Sequence, residues 1–266
     1  MVDDGDDRAG RDPAPAVTRA IRLLGLLADA RHPLTLTEIA SELALAKSST
    51  ANLCLALESA RMIERVAAGY RLGMRTAELG GAFASQFTQI RELYTVCEAS
   101  PVLADELVQM AILDGCDTLY LARYEGAHSA RLGAPLGSRL PAALTGAGRA
   151  LLMRLDDAEV TALLADAAPF PALTEHSTRD LDGLLARLDA ARARGWALDE
   201  EESTVGIVGV AVAVEGWAPG DPRFGLGVGI PVGEAVPERI ARVGAALQQA
   251  AHALTNPFSS AVAEAR

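Results

Sequence analysis

The amino-acid sequence predicts a two-domain α+β protein, in which a small winged helix-turn-helix domain precedes a larger domain built from a sheet covered by helices. Three observations support this fold class. The 266 residues are too many for one helix-turn-helix unit, so a small domain joined to a larger one is the natural division. Residues 35–57 have the pattern of two short helices joined by a tight turn. From about residue 101, strand-like and helix-like segments alternate.

Residues 35–57 carry signals for both short helices. Thr35 and Glu38 have the spacing of a capping box at the start of the first helix. The second helix is predicted to begin near Lys47. Its inward side is defined by the i, i+3, i+4 and i+7 spacing of a half-buried helix. The residues at that spacing are Thr50, Leu53, Cys54 and Leu57.

The opposite side of the second helix has the chemistry of a DNA-reading surface. A cation and short hydroxyl and amide side chains stand at its exposed start, at Lys47, Ser48, Ser49 and Asn52. Such side chains suit base edges in the major groove, and the cation and the free N–H groups suit phosphate. An isolated stretch of this kind is more often an ordinary solvated helix start, so the flanking segments decide between the two interpretations.

The flanking segments complete a winged helix. Residues 17–28 carry a helical apolar stripe, which is predicted to pack on the helix-turn-helix pair. The stripe consists of Val17, Ala20, Ile21, Leu24, Leu27 and Ala28. Alternating segments at 62–66 and 70–73 surround a turn at 67–69 and predict a β-hairpin. Arg65 and Arg71 on this wing fit phosphate contacts and solvated strand positions equally well.

The distribution of charge favours DNA binding by the small domain. The net charge of −11 would by itself argue against a nucleic-acid partner. Residues 13–75, however, contain eight basic and five acidic residues, a net +3, whereas the chain from residue 76 onward carries −11. Lys47 is the only lysine of the chain. Positive charge is thus concentrated in the domain that contains the predicted reading helix.

Composition limits the other classes of protein. No apolar run approaches the length of a membrane span, and the acidic start is unlike a signal peptide, so we expect a cytoplasmic protein with no membrane partner. Cys54, Cys97 and Cys116 are scattered and odd in number, which favours reduced thiols over a disulfide framework or a zinc site. No cofactor and no metal site are expected.

The rest of the chain predicts a linker and an α+β sandwich. Residues 1–14 are expected to form a disordered arm, 15–73 the winged helix-turn-helix domain, 74–100 a linker helix, 101–255 the larger domain and 256–266 a tail. Strands are predicted at 107–113, 118–123, 129–134, 196–199, 205–214 and 224–230. Helices are predicted at 144–154, 157–167, 178–194 and 237–254, with Gly195 ending the third.

The sequence resembles the IclR family of transcriptional regulators over roughly residues 16–255. The motifs that carry the resemblance are VTRAIRLL from Val17, LTLTEIA from Leu34, KSS from Lys47, YRLG from Tyr70, RLGAPLG from Arg131, LTGAGRALL from Leu144 and RGWALDEEE from Arg194. The resemblance implies an N-terminal winged helix-turn-helix and a linker helix, followed by a C-terminal GAF-like α/β domain that binds a small effector. It further implies homodimers or homotetramers that bind palindromic operators in double-stranded DNA, with repression as the expected outcome.

The predicted reading helix departs from the family pattern. The family has a β-branched residue, an aromatic residue or histidine, and then arginine, where this chain has Thr50, Ala51 and Asn52. Loss of the arginine removes a phosphate or guanine contact, and an asparagine amide suits adenine instead. We therefore expect an unusual operator. The candidate DNA-contacting residues are Thr37, Lys47, Ser48, Ser49, Asn52 and Arg71.

A candidate effector site lies at the helix predicted to start near Leu144. Residues 145–148 open that helix, its first N–H groups are unsatisfied, and the glycines let a carboxylate approach the backbone. The glycines are explained equally simply by close packing of the helix on the sheet. The resemblance adds further positions to this site. The complete candidate set is Leu132, Leu140, Gly146, Ala147, Asp199, Ile207, Gly209, Gly227 and Gly229.

Glycine at 209, 227 and 229 replaces three small polar side chains of the family. Their loss removes donors and opens volume, so we expect a larger or less polar ligand than a small keto acid, such as an aromatic or hydrophobic acid. A vestigial pocket is the alternative. Asp199 begins an acidic run that would otherwise be taken for a solvated turn.

Two further classes of function were weighed. An α/β enzyme with an appended DNA-binding domain would need catalytic motifs, yet the sequence has no Gly-x-Ser-x-Gly elbow, Walker loop or His-Glu-x-x-His motif, and its four histidines are scattered. No catalytic residue is therefore assigned. A winged helix that binds protein is distinguished by salt dependence, since only DNA binding weakens steeply with salt.

Overall fold

The computed structural model describes residues 12–126, 133–218 and 220–255. The chain divides into two compact units, Met1–Phe83 and Ala84–Arg266. Most of the predicted arm, the predicted tail and Leu132 lie outside the described residues. Among the helices of the described part, none is both long and apolar enough to span a membrane.

The first unit is a winged helix-turn-helix followed by the start of the linker. Its elements are α1 (Pro15–Asp29), α2 (Leu36–Glu42), α3 (Lys47–Ser59), β1 (Ile63–Val66), β2 (Gly69–Leu72) and α4 (Met74–Ala84). β1 and β2 form an antiparallel hairpin in which Ile63 faces Leu72 and Val66 faces Gly69. An isolated bridge from Leu34 to Tyr70 adds the chain before α2 to the edge of this hairpin.

The core of the first unit corrects the predicted stripe of α1. Leu23 and Leu27 are the buried residues of this helix, and they pack in one cluster with Ile39, Cys54 and Ile63 of the other elements. Val17 and Ile21, predicted to point inward, are 57% and 63% exposed. Leu24 of the predicted stripe is also packed, partly buried, against this cluster. The prediction is therefore confirmed at Leu24 and Leu27 and wrong at Val17 and Ile21, because the packing partners within the unit lie beside the second half of α1.

The predicted single linker helix is wrong in one respect. The structure has two helices, α4 and α5 (Thr88–Ala99), separated by a break at residues 85–87. Phe87 has extended backbone angles and its ring packs edge-on against Phe224, with 5.4 Å between the ring centroids. α5 then buries Leu93 and Cys97 in the core of the second unit. The tertiary contact at Phe87 therefore overrides a helical pattern that continues through it.

The second unit is a six-stranded sheet with helices on both faces. Its strands are β3 (Leu107–Asp114), β4 (Asp117–Glu125), β5 (Arg139–Pro141), β6 (Ala197–Glu200), β7 (Ile207–Val214) and β8 (Phe224–Pro231). Its further helices are α6 (Gly146–Leu152), α7 (Asp157–Leu164), α8 (Leu181–Arg194) and α9 (Pro237–Leu254). The strand order is β5-β4-β3-β8-β7-β6, and every pairing is antiparallel.

Most predicted elements of the second unit are confirmed within a few residues. Gly195 ends α8 with φ +87°, the left-handed conformation that glycine adopts most easily. The strand predicted at 129–134 is not observed at Gly133 and Ala134, and its other residues lie outside the described part. β5 was not predicted, since three residues are too short for a periodic signal.

The two faces of the sheet carry different side chains. Along β7, three valines, Val210, Val212 and Val214, pack with α5 and α9 in the larger core cluster. The alternate positions, Gly209 and Ala211, face α6, where alanines of the sheet and of the helix form a second cluster. Small residues on this face let α6 lie close to the strands. α7 and α8 cover the outer side of α6 with leucines and a valine.

Candidate functional site

The start of α3 presents an exposed polar surface. Thr50 and Cys54 are buried, whereas Lys47, Ser48 and Asn52 are exposed, and so is Ser49. The helix has no acidic residue in its first turn, and Ala46 at its N-cap offers no side-chain acceptor. The free N–H groups and the lysine charge of this turn therefore attract anions.

The predicted capping box and the turn of the helix-turn-helix are both present. The capping box is present: the Glu38 carboxylate accepts a hydrogen bond from the Thr35 N–H at 2.7 Å, and Thr35 Oγ1 accepts one from the Glu38 N–H at 3.3 Å. Thr37 is exposed in the first turn of α2. Ala44 in the turn has φ +53°, a left-handed conformation that disfavours residues with a side chain.

The two arginines of the hairpin differ in their partners. Arg71 Nε donates to Glu64 Oε1, directly across the hairpin, so the charge of Arg71 is balanced within the unit. The Arg65 guanidinium lies over the Tyr70 ring at 5.8 Å from its centroid. A ring contact leaves the net charge of Arg65 in place. Arg71, the hairpin residue in the predicted DNA-contacting set, is therefore the less available cation of the two.

A cavity of about 510 Å³ opens between the sheet and the start of α6. It is lined by eight of the nine residues predicted for the effector site, Leu132 lying outside the described residues. The eight are Leu140, Gly146, Ala147, Asp199, Ile207, Gly209, Gly227 and Gly229. Residues from β5, α6, β6, β7 and β8 thus meet in one place although they are spread over ninety positions of the chain.

The start of α6 supports both explanations of its glycines, namely ligand access to free N–H groups and close packing on the sheet. Thr145 caps the helix by accepting a hydrogen bond from the Gly148 N–H at 3.0 Å. In the part of the chain that the structure describes, no protein acceptor faces the N–H groups of Gly146 and Ala147. Gly148 has a packing role, since a Cβ there would collide with the Ala142 carbonyl oxygen and lie 2.5 Å from Thr118 Oγ1.

The glycines of β7 and β8 that line the cavity do not all enlarge it. Gly209 faces Gly229 in the sheet, and Gly227 faces Ala211. A Cβ on Gly209 would lie 3.2 Å from Asp199 Cβ and 3.7 Å from the Gly146 nitrogen, so its space is already largely filled. A Cβ on Gly227 would meet only its neighbours within the sheet among the nearest atoms. The expectation of added volume therefore does not hold at Gly209.

Asp199 lies in the cavity wall with only 4% of its surface exposed. Its Oδ1 accepts hydrogen bonds from the N–H groups of Glu202 at 2.7 Å and Ser203 at 3.2 Å, and its Oδ2 accepts one from the Ser203 hydroxyl. Burial raises the pKa of Asp199, and these hydrogen bonds only partly oppose the shift. Asp199 therefore organises residues 199–203 as well as facing the cavity.

A buried ion pair beside the cavity was missed by sequence reasoning. Arg149 of α6 donates to both carboxylate oxygens of Glu202, at 2.7 and 2.6 Å, and the two side chains are 2% and 1% exposed. Thr178 and Arg187 donate to the same carboxylate. Burial alone would raise the pKa of Glu202, but the hydrogen bonds and charge of Arg149 outweigh it and lower the pKa to about 2.

The signal for this ion pair was present in the sequence. Arg149 stands within an otherwise apolar stretch, Leu144 to Leu152, that was predicted to pack on the sheet. A cation in such a helix requires a buried carboxylate partner. What the sequence could not provide was the identity of that partner among the 35 acidic residues.

Two further polar side chains line the cavity, Gln109 of β3 and Tyr120 of β4. The side-chain amide of Gln109 already has partners within the protein. It donates to the Ala134 carbonyl at 2.7 Å and accepts from the Ala134 N–H at 3.1 Å. Tyr120 is 7% exposed. Neither was predicted, because a glutamine or a tyrosine within a strand is an ordinary residue unless the sheet register is known.

The described residues contain no cluster of potential metal ligands, and two of their thiols are buried. No group of three or more histidine, cysteine or acidic side chains within 12–126, 133–218 and 220–255 is arranged to hold a metal ion. Burial raises the pKa of the Cys54 thiol, and that of Cys97 to about 12. Both thiols are therefore protonated at neutral pH and are poor nucleophiles.

Family models match both units of the chain. The model described as the IclR helix-turn-helix domain matches residues 16–67, and the model of the bacterial transcriptional regulator IclR C-terminal domain matches residues 93–256. The transcriptional repressor IclR of Escherichia coli (strain K12) is 27% identical over 268 residues, which cover 93% of this chain and 95% of that protein. The repressor AllR of Salmonella typhimurium is 28% identical over 203 residues, or 76% of this chain and 74% of that protein.

Solved structures agree with this assignment. The repressor BlcR of Agrobacterium tumefaciens is 28% identical, with a TM-score of 0.58, over 92% of this chain and 97% of that one. An IclR homologue from Microbacterium hydrocarbonoxydans, solved in complex with 4-hydroxybenzoate, shares the fold with a TM-score of 0.75 at 23% identity, over 90% and 97% of the chains. Since the two family models together match most of its length, the chain belongs to the IclR family of bacterial transcriptional regulators.

Proposed function

We propose that this protein represses transcription by binding a palindromic operator through α3, as a homodimer or homotetramer in the cytoplasm. The observation that carries the proposal is the surface of α3, where Lys47, Ser48, Ser49 and Asn52 are exposed while Thr50 and Cys54 anchor the helix in the core. No acidic side chain in the first turn opposes a phosphate there. Repression is favoured because the similar proteins from Escherichia coli and Salmonella typhimurium are named repressors.

The cavity supports a small effector as the signal. Several of its polar lining groups are already bonded within the protein, at Gln109, Ser138, Asp199 and Ser203. Much of the remaining wall is glycine, alanine, valine, leucine and isoleucine. Such a site favours a largely apolar ligand with one polar end, here an aromatic or hydrophobic acid. The IclR homologue from Microbacterium hydrocarbonoxydans, solved in complex with the aromatic acid 4-hydroxybenzoate, supports this proposal.

Family membership weighs against an enzyme with an appended DNA-binding domain. The arrangement of the cavity agrees with that judgement, because its nearest acidic group, Asp199, is held by three hydrogen bonds from its own turn. A general base needs a carboxylate that is free to accept a substrate proton. A vestigial cavity is the remaining alternative and is tested by ligand binding below.

The test of DNA binding is selection of bound duplexes from random DNA, followed by titration of the best duplex at several salt concentrations. We expect log K to fall linearly with log salt. Lys47→Ala should weaken binding to every duplex and reduce the slope by about one unit, as for one lost phosphate contact. Arg223→Ala removes the same charge from the second unit and is the matched control.

Two results would contradict this proposal. One is a purified protein that binds no duplex in dilute buffer. The other is equal salt slopes for the wild type, Lys47→Ala and Arg223→Ala, which would show that α3 does not contact phosphate. Absence of duplex binding would leave a protein partner for the winged helix as the alternative, since only DNA binding is expected to weaken steeply with salt.

A further inference from the structure

Tyr120 is a nearly buried polar side chain in the cavity wall. It lies on β4 and packs with alanines of the sheet and of α6, including Ala111 and Ala147. Its orientation depends on a β-bulge: Met110 faces Ala122 and Ala111 faces Tyr120, so β4 carries one extra residue. Tyr124, four positions later, consequently belongs to the cluster on the opposite face of the sheet. The bulge turns Tyr120 toward the cavity.

The hydrogen bonds behind Tyr120 can be counted. Thr145 Oγ1 accepts from the Gly148 N–H at 3.0 Å and lies 3.0 Å from Thr118 Oγ1. Among the influences on the pKa of Tyr120 is a hydrogen bond with the Thr145 side chain, which acts to lower it, as a donor to the phenol oxygen does. Thr118 is fully buried, and Thr145 is its one side-chain partner in the described chain. A hydroxyl has one proton and two acceptor positions, so the direction of each bond in this chain of three hydroxyls can be assigned.

One assignment satisfies the hydroxyls of both buried threonines. Thr118 donates to Thr145, because its proton would otherwise lack an acceptor in the core, at a cost of about 1–3 kcal/mol. The Thr145 oxygen then accepts from Thr118 and Gly148, and its own proton goes to the Tyr120 oxygen. In the reverse direction, the buried Thr118 proton is orphaned. The favoured direction leaves the Tyr120 O–H without a protein acceptor.

We propose that the Tyr120 hydroxyl is a ligand-binding group that donates a hydrogen bond to the carboxylate of the effector. This inference rests on the proposed effector site and names a contact within it. Thr118 and Thr145 act behind it as positioning residues that fix the direction of donation. Burial, together with the charge of Asp199, raises the pKa of Tyr120 to about 12, so the donor stays protonated throughout the physiological range.

The test uses calorimetric titration of the full chain with benzoate and with benzamide, its neutral counterpart. A hydrogen bond to a charged acceptor is stronger than one to a neutral acceptor. Tyr120→Phe should therefore weaken benzoate binding by about 10- to 100-fold and benzamide binding by only about 2- to 10-fold. The wild type itself should bind benzoate more tightly than benzamide, a comparison that needs no variant.

Tyr124→Phe is the matched control. It removes a hydroxyl from the same strand, but that hydroxyl donates to the Ala104 carbonyl at 3.2 Å and lies on the other face of the sheet. Benzoate affinity should be unchanged in this variant. Thermal unfolding of both variants verifies that they are folded.

Three results would overturn the inference: equal benzoate affinity in Tyr120→Phe and the wild type, equal losses for benzoate and benzamide, or a wild type that binds no benzoate. In the last case, DNA binding measured on the same preparation separates the two proposals. If the protein binds its operator but does not bind benzoate, the proposed DNA-binding function stands and the assignment of Tyr120 is contradicted.

Discussion

Glu202→Gln should destabilise the second unit severely. The substitution keeps the size of the side chain and removes its charge, leaving the Arg149 guanidinium buried without a counter-ion. Arg149 also donates to the carbonyl oxygens of Ala143 and Leu198, at 2.8 Å each, so it is held in place and cannot move to water without losing those bonds. Breaking a buried pair by removing one partner typically costs about 3–5 kcal/mol.

The pH dependence gives an independent estimate of the same interaction. The pKa of Glu202 is about 2 in the folded protein and 4.5 as its ordinary value. A lowered folded pKa stabilises the protein above the unfolded pKa, and the stabilisation is lost as pH falls through the folded pKa. The difference corresponds to about 3 kcal/mol, lost between about pH 4.5 and pH 2. Glu202→Gln should lack this part of the acid sensitivity.

Urea unfolding followed by tryptophan fluorescence measures the effect. Trp196 and Trp217 are the only tryptophans of the chain and both belong to the second unit, so the signal reports on that unit. Glu215→Gln is the control, because Glu215 pairs with Arg154 and Arg223 at the surface and such pairs contribute about 0–1 kcal/mol. Equal losses for the two variants would refute the argument, as would a loss below about 1 kcal/mol for Glu202→Gln.

Three other predictions concern single positions. Asn52→Ala should relax the choice at one base position at a cost of about 1–3 kcal/mol, measured by competition between operator variants; undiminished discrimination would exclude Asn52 as a base contact. Ala44→Gly should raise the free energy of unfolding of the first unit by about 0.5–1 kcal/mol, seen by calorimetry, because φ +53° is strained for alanine; a lower melting temperature would contradict this. Gly148→Ala should cost the second unit about 1–3 kcal/mol in urea unfolding, since its Cβ meets backbone. Gly233→Ala, where a Cβ meets nothing within 4 Å, is the control, and equal effects would refute the packing argument.

Much of the fold follows from local patterns. The capping box at Thr35, the turn at residues 67–68 and the glycine stop at Gly195 act within a few residues, so they are readable without tertiary information. The break of the linker at Phe87 is different in kind. The break depends on a ring contact with Phe224, more than a hundred positions away, and no local sequence pattern predicts it.

The candidate effector site also contains both predictable and unpredictable residues. The resemblance to the family identified eight described residues that line one cavity. It could do so because the site positions of a family are already known from its folded members. Tyr120 carries no such motif. Tyr124 lies four positions further along the chain, a spacing that places both side chains on one face of a regular strand. The bulge opposite Met110 and Ala111 sends them to different faces.

By itself the sequence determined the two-domain order, the helix-turn-helix with its exposed lysine, and the concentration of positive charge in residues 13–75, because these depend on near neighbours and on composition. Tertiary structure alone decided which carboxylate pairs with Arg149, how little space is left beside Gly209, and which face of the sheet carries Tyr120. Those outcomes depend on strand register and on packing between distant segments, and the physical reason is that a sheet brings together residues whose separation along the chain carries no signal of their contact.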